Sequence, residues 1–129
     1  MSEARTQPDS TEEEQTDEQL PTAARNLTAF QQNILAILAD EPLYGLAIKR
    51  ELESYYGTNV NHGRLYPNLD QLVEMGLVEK GEIDKRTNEY ALTDRGRETV
   101  LEQVEWFLDN YITGARRRLD VETLLERVG

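Results

Sequence analysis

The sequence predicts a mainly α-helical chain with one small β-hairpin and a long closing helix. Three observations carry that expectation. Apolar residues recur at helical spacing in four separate stretches. One pair of short runs, Leu77–Ile83 and Thr87–Leu92, is joined by Asp84-Lys85-Arg86 in the manner of a hairpin. Capping residues or glycines stand at the element boundaries.

The first 26 residues precede the folded part. From Met1 to Arg25 there are seven acids, two Arg and two Pro, with almost no large apolar side chain. Such a segment cannot bury enough surface to offset the entropy of ordering it, so residues 1–26 are read as an acidic mobile tail. Thr28-Ala29-Phe30-Gln31 then has Thr followed three residues later by Gln, a capping box. Phe30, Ile34, Ile37 and Leu38 continue as a first helix, expected to end near Asp40 ahead of Pro42. Leu46, Ile48, Leu52, Tyr55 and Tyr56 mark a second helix from about Tyr44 to Tyr56, with Gly57 as a left-handed C-cap.

A four-residue turn, Gly57 to Val60, leads to a third helix that Asn61 or His62 starts and Gly76 ends. Leu65, Leu69 and Leu72 line its buried face. Pro67 falls within it and removes the bond to the Gly63 carbonyl, so the helix either starts late or bends there. After the hairpin, Thr93 caps a long fourth helix from Asp94 to at least Tyr111, with a bend near Gly114. Val121, Leu124, Leu125 and Val128 suggest a last amphipathic turn or two. Arg116-Arg117-Arg118 is read as a solvated run near a helix C-terminus, where the dipole favours cations. Two helices joined by a tight turn, then a hairpin, are the order of a winged helix-turn-helix. The expected division is 27–93 for that unit and 94–129 for a C-terminal dimerisation region.

Composition narrows the functions open to the chain. Its 129 residues carry a net charge of −11 and no Cys, which excludes thiolate catalysis and Cys-based metal sites. A single His argues against a His-built metal centre. No apolar run reaches the length of a membrane span and no signal-peptide pattern opens the chain, so the expected location is cytoplasmic. There is no Gly-rich phosphate loop and no nucleophile with a base at useful spacing; neither an enzyme nor a bound cofactor is indicated. Basic residues are 11 Arg against 3 Lys, and the acids are spread along the whole chain. That pattern looks like the surface of a protein from a salt-loving microbe. In molar salt the Debye length is about 3 Å, so only local charge matters at a contact.

One window departs from the acidic background. From Ser54 to Leu69 there is no Asp or Glu, only a stretch rich in Asn, Thr, Tyr, His and Arg. Such side chains hydrogen-bond to bases and phosphates. A helix entering a groove N-terminus first needs a cation and donors at its leading end and tolerates acids behind, as Arg64 ahead of Asp70 and Glu74 provides. The candidate contacts to double-stranded DNA are Thr58, Asn59, Asn61, His62, Gly63, Arg64, Tyr66 and Asn68, joined on the hairpin by Lys80, Lys85 and Arg86. Arg64 would pair with a guanine or clamp a phosphate. Turn or cap chemistry is the competing role for Asn59 and Asn61, and helix-edge packing for Tyr66. Glu79, Glu82 and Asp84 on the hairpin would need potassium or other cations between them and phosphate.

The fourth helix points to a homodimer. Leu101, Val104, Leu108 and Tyr111 fall at three-four-three spacing, and Val100, Trp106 and Phe107 widen the apolar arc beyond what one side needs.

Pro42-Leu43-Tyr44-Gly45, Gly63-Arg64-Leu65-Tyr66-Pro67-Asn68-Leu69, Gly76-Leu77-Val78 and Tyr90-Ala91-Leu92-Thr93 with Gly96 resemble the PadR-type transcription regulators over roughly residues 28 to 112. In that family Leu-Tyr-Pro sits in the recognition helix, and Tyr-x-Leu-Thr-x-x-Gly joins wing to final helix. The residue before Leu-Tyr-Pro is often Thr there and is Arg64 here. With its halophilic composition the chain looks like a haloarchaeal member. The resemblance implies a sequence-specific regulator acting at pseudo-palindromic promoter sites, in an oxidative-stress response that cannot use a thiol switch. A winged-helix module that binds protein instead is the alternative. No small-molecule ligand is readable.

Overall fold

The structure, a computed structural model, describes residues 26–84 and 87–129. The tail expectation therefore lies outside the described residues apart from Asn26, and so do Lys85 and Arg86. The element order is α1 (Ala29–Ile37), β1 (Leu43–Tyr44), α2 (Gly45–Tyr56), α3 (His62–Glu74), β2 (Val78–Asp84), β3 (Thr87–Leu92), α4 (Asp94–Tyr111) and α5 (Ala115–Arg127).

The capping box at the start of α1 is closed in both directions. The Gln31 amide N–H donates to the Thr28 hydroxyl at 3.1 Å, and the Gln31 side-chain oxygen accepts from the Thr28 N–H at 3.1 Å. Thr28→Ala is expected to lower stability by about 1 kcal/mol, read by denaturant unfolding. Gly57 ends α2 at φ 72°, and Gly76 follows α3 at φ 79°, the left-handed conformation a glycine adopts without strain. Asn61 is the N-cap of α3 and His62 its first residue, so the helix does not start late and Pro67 lies in its interior.

The three strands form one antiparallel sheet in the order β1-β3-β2. The hairpin register runs from Val78 opposite Leu92 to Asp84 opposite Thr87, with an irregularity between Glu82 and Asp84. Strand β1 was not expected. Leu43 and Tyr44 pair with Tyr90 and Glu89, too short a run for any alternation to appear in the sequence. A single core gathers Phe30, Ile34, Leu35, Ile48, Leu52, Leu65, Leu69, Leu72, Leu77 and Tyr90. Burial holds the Tyr90 phenol above the usual tyrosine range.

The C-terminal region corrects one expectation and refines another. The suggested last turn or two is a full thirteen-residue helix, α5. Arg116, Arg117 and Arg118 lie in its first turn, where its own dipole disfavours cations, while Arg117 also meets a helix C-terminus, that of α4. The preceding helix end gives Arg117 a partner. Its guanidinium donates to the Tyr111 carbonyl at 3.3 Å, at the close of α4, and lies 5.2 Å from the Tyr111 ring centre. Tyr111 donates its hydroxyl to Asp120 of α5 at 2.8 Å, a bond that raises the phenol pKa.

Candidate nucleic-acid interface

The turn between α2 and α3 is closed by an acid just outside the acid-free window. Glu53 accepts from the Val60 N–H at 2.9 Å and from the Lys49 ammonium at 2.8 Å on one oxygen. The Lys49 bond, with the Val60 amide next, holds the Glu53 carboxyl below the usual range. A depressed folded-state pKa means that the stabilisation is present above the unfolded pKa and is lost as pH falls through the folded one. Acidification below the ordinary carboxylate range is therefore expected to loosen this turn, seen as faster amide exchange at Val60.

Beyond that lock, Thr58, Asn59, Asn61, His62, Gly63 and Arg64 are all exposed. Asn61 accepts from the Gly63 N–H at 2.5 Å, so it performs the cap role set against base contact. The His62 and Tyr66 rings stack with centres 5.6 Å apart. Tyr66 is half-buried against the start of α2; a Cβ at Gly45 would lie 2.5 Å from its hydroxyl oxygen.

At 100° per residue, α3 presents three faces besides the leucine one. Its outermost face carries Gly63, Pro67, Asp70 and Glu74. One flank carries His62, Tyr66 and Val73; the other carries Arg64, Asn68 and Gln71. The second flank abuts α1. Gln31, 4 % exposed, donates through its side-chain amide to Asn68 at 3.1 Å and to Gln71 at 2.9 Å. Asn68 donates in turn to the Arg64 carbonyl at 2.7 Å. Arg64 lies over the Phe30 ring, its guanidinium carbon 4.0 Å from the ring centre, with the Tyr56 ring at 6.0 Å. Sequence reasoning missed these partners because Phe30 and Gln31 lie more than 30 positions from the side chains they hold.

Charge along α3 is graded as expected, with no acid in the first turn and Asp70 and Glu74 exposed in the second half. Lys80 is exposed on β2, opposite Tyr90. Between α3 and the wing runs an open cleft of about 620 Å³, lined by Tyr44, Gly45, Leu46, Tyr66, Ile83 and Tyr90 among others. Three separate chain segments build it, and no local sequence pattern marks it.

On α4, Leu101, Val104 and Tyr111 are exposed and Leu108 is half-buried. Trp106 and Phe107 are exposed as well. The covered side of α4 meets α1, where Gln32 donates to Gln103 at 3.1 Å. Among the described residues no cluster of three or more His, Cys, Asp or Glu could hold a metal ion, and no helix is long and apolar enough to cross a membrane.

A family model described as the transcriptional regulator PadR-like family matches residues 34–102, more than half of the chain. Among solved structures, a complex of hsRosR-S4 from Halobacterium salinarum is 61 % identical, with a TM-score of 0.80 over 83 % of this chain and 93 % of that one. RosR of the same organism grown from NaBr is 63 % identical, with a TM-score of 0.76 over 80 % of this chain and 94 % of that one. F93 from STIV, a winged-helix DNA-binding protein, shares the fold at 21 % identity, with a TM-score of 0.55 over 65 % of this chain and 92 % of that one. No match was found among curated proteins.

Proposed function

This chain belongs to the PadR-like family of transcriptional regulators, and from that membership we propose that it binds double-stranded DNA sequence-specifically as a homodimer. Its sites are pseudo-palindromic promoter elements, and it works in a high-salt cytoplasm as part of an oxidative-stress response. It is a regulator and not an enzyme. Its halophilic, archaeal character fits relatives from Halobacterium salinarum.

The observation that carries the DNA reading is the acid-free leading half of α3. In a chain of net charge −11, the loop before α3 and the helix's first two turns expose Asn, Thr, His and Arg and no carboxylate. A surface built to bind protein would tolerate acids there. The proposed contacts are Thr58, Asn59, His62, Gly63, Arg64 and Tyr66, together with Lys80, Lys85 and Arg86 of the wing. Asn61 and Asn68, already bonded within the fold, contribute only their remaining hydrogen-bonding capacity. The proposed dimer seam is Leu101, Val104, Leu108 and Tyr111. The test is a gel shift on genomic fragments in molar potassium chloride: discrete retarded bands on a subset of fragments support the proposal, and no shift on any fragment sinks it.

Salt gives a second test. A DNA binder that neutralises Z phosphates loses affinity with a log–log slope of about −0.9Z as condensed cations are released. Glu79, Glu82 and Asp84 are exposed on β2 beside the candidate contact Lys80. Carboxylates near phosphate need cations between them, and that uptake opposes the release. Affinity is therefore expected to depend weakly, or even positively, on potassium chloride near molar concentration. Glu82→Gln with Asp84→Asn should turn the slope toward negative values. A steep negative slope in both proteins would exclude cation uptake at the wing.

A further inference from the structure

We infer that Arg64 is a phosphate clamp and that Phe30 and Tyr56 are the positioning residues that hold it edge-on toward the DNA backbone. The inference rests on the DNA-binding reading and narrows it from a choice of base or phosphate to one of the two.

Two features support it. The first is where Arg64 stands on its helix. The outermost face of α3 belongs to Gly63, Pro67, Asp70 and Glu74, whereas Arg64 shares a flank with Asn68 and Gln71, whose side chains bond to Gln31 of α1. When a helix lies in a major groove, its outer face meets base edges and its flanks meet the two sugar-phosphate walls. The flank next to α1 is the side of a wall.

The second is how the guanidinium is held. Its carbon sits 4.0 Å from the centre of the Phe30 ring, and that ring is almost wholly buried. The Tyr56 ring extends the shelf, near-parallel to Phe30 at 19° with centres 6.2 Å apart. Tyr56 is itself fixed, its hydroxyl accepting from the Asn33 side chain at 2.9 Å. Stacking occupies the face of the guanidinium and leaves its edge, the planar fork of N–H donors that matches two oxygens of one phosphate. A long side chain in water would lose rotamer freedom on clamping; here the shelf has already restricted it, so less is lost on binding. Lys cannot replace this arrangement, because an ammonium has no planar fork.

The experiment measures affinity in molar potassium chloride for two probes: a 30-base-pair duplex enriched by the unmodified protein from a random pool, and the unenriched pool. Arg64→Ala should weaken both by about tenfold, alike, as the loss of one charge-assisted contact requires. It should also shift the log–log salt slope by about one. Tyr56→Leu and Phe30→Leu should each weaken binding two- to fivefold, roughly the strength of the ring contact. In the Arg64→Ala background each should cost nothing further, and Tyr56→Phe, which keeps the ring but loses the Asn33 bond, should recover most of the affinity that Tyr56→Leu lost. Because Phe30 belongs to the core, Tyr56 on the exposed rim keeps the test decisive if Phe30→Leu fails to fold. A loss on Arg64→Ala confined to the enriched duplex would mean base readout and overturn the clamp. Equal losses on Tyr56→Leu with and without Arg64 would overturn the shelf. Wild-type binding with either of these results leaves the DNA reading standing, whereas no wild-type binding to either probe removes both.

Discussion

Gly96→Ala is expected to lower the unfolding free energy by about 3 kcal/mol, the upper end of what overpacking usually costs. A Cβ at this position would run into the Leu77 carbonyl oxygen and stand 2.7 Å from Leu92 Cδ1. Neither neighbour can move far. The Leu77 carbonyl already accepts from the Thr93 N–H at 3.1 Å, and Leu77 itself is fully buried. The substitution would also strain the cap of α4, because Gly96 donates its N–H to the Thr93 hydroxyl at 2.9 Å. Thermal and urea unfolding with circular dichroism would measure the change. A variant as stable as the parent would show that α4 can shift away from Leu77 and Leu92, and the tight crossing would lose its meaning.

Leu101→Glu combined with Val104→Glu is expected to turn the protein into a monomer. Both side chains are about half exposed on α4, at 53 % and 46 %, and belong to the proposed seam. Four carboxylates would then face one another across two copies with no water to solvate them, a cost far above that of surface charge. Affinity for a palindromic site should fall about 100-fold or more, because the second half-site contact ceases to be intramolecular. Sedimentation in high salt reads the first effect and titration of full-site against half-site duplexes reads the second. An unmodified protein that sediments as a monomer would remove the seam altogether. Unlike the glycine variant, this one should keep its fold, since neither side chain enters the core.

What the sequence made legible, and what it did not, follows from the range of the interactions involved. Helix boundaries at Thr28, Gly57, Asn61 and Thr93 are local hydrogen-bond chemistry, spelled within four residues of chain, and each appears where the pattern placed it. The buried leucines of α3 obey helical periodicity and lie inside. Strand β1 depends on pairing between distant segments, Leu43 with Tyr90 and Tyr44 with Glu89, and two residues carry no period. That the Arg triplet opens a new helix, as well as meeting the end of α4, is not legible because nothing between Tyr111 and Ala115 announces that one helix stops and another begins; Gly114 alone signals only a bend. In the candidate site, the residue types were legible and their engagements were not. Asn68 reads as a free amide until Gln31, 37 positions away, is seen to hold it.

The Thr93 junction has a mechanical side. Its hydroxyl donates to the Gly76 carbonyl at 2.7 Å, immediately after α3, while its amide is tied to Leu77 at the root of the wing. Both proposed reading heads of the molecule are thus bolted to one end of an eighteen-residue rod. At 1.5 Å per residue that rod is about 27 Å long, so a tilt of about 5° at its far end swings the near end by about 2 Å. In the proposed dimer the two rods would act as the arms of a caliper. The gap between the tips, and hence the spacing of half-sites such a pair could span, would be set at the hinge and not at the tips.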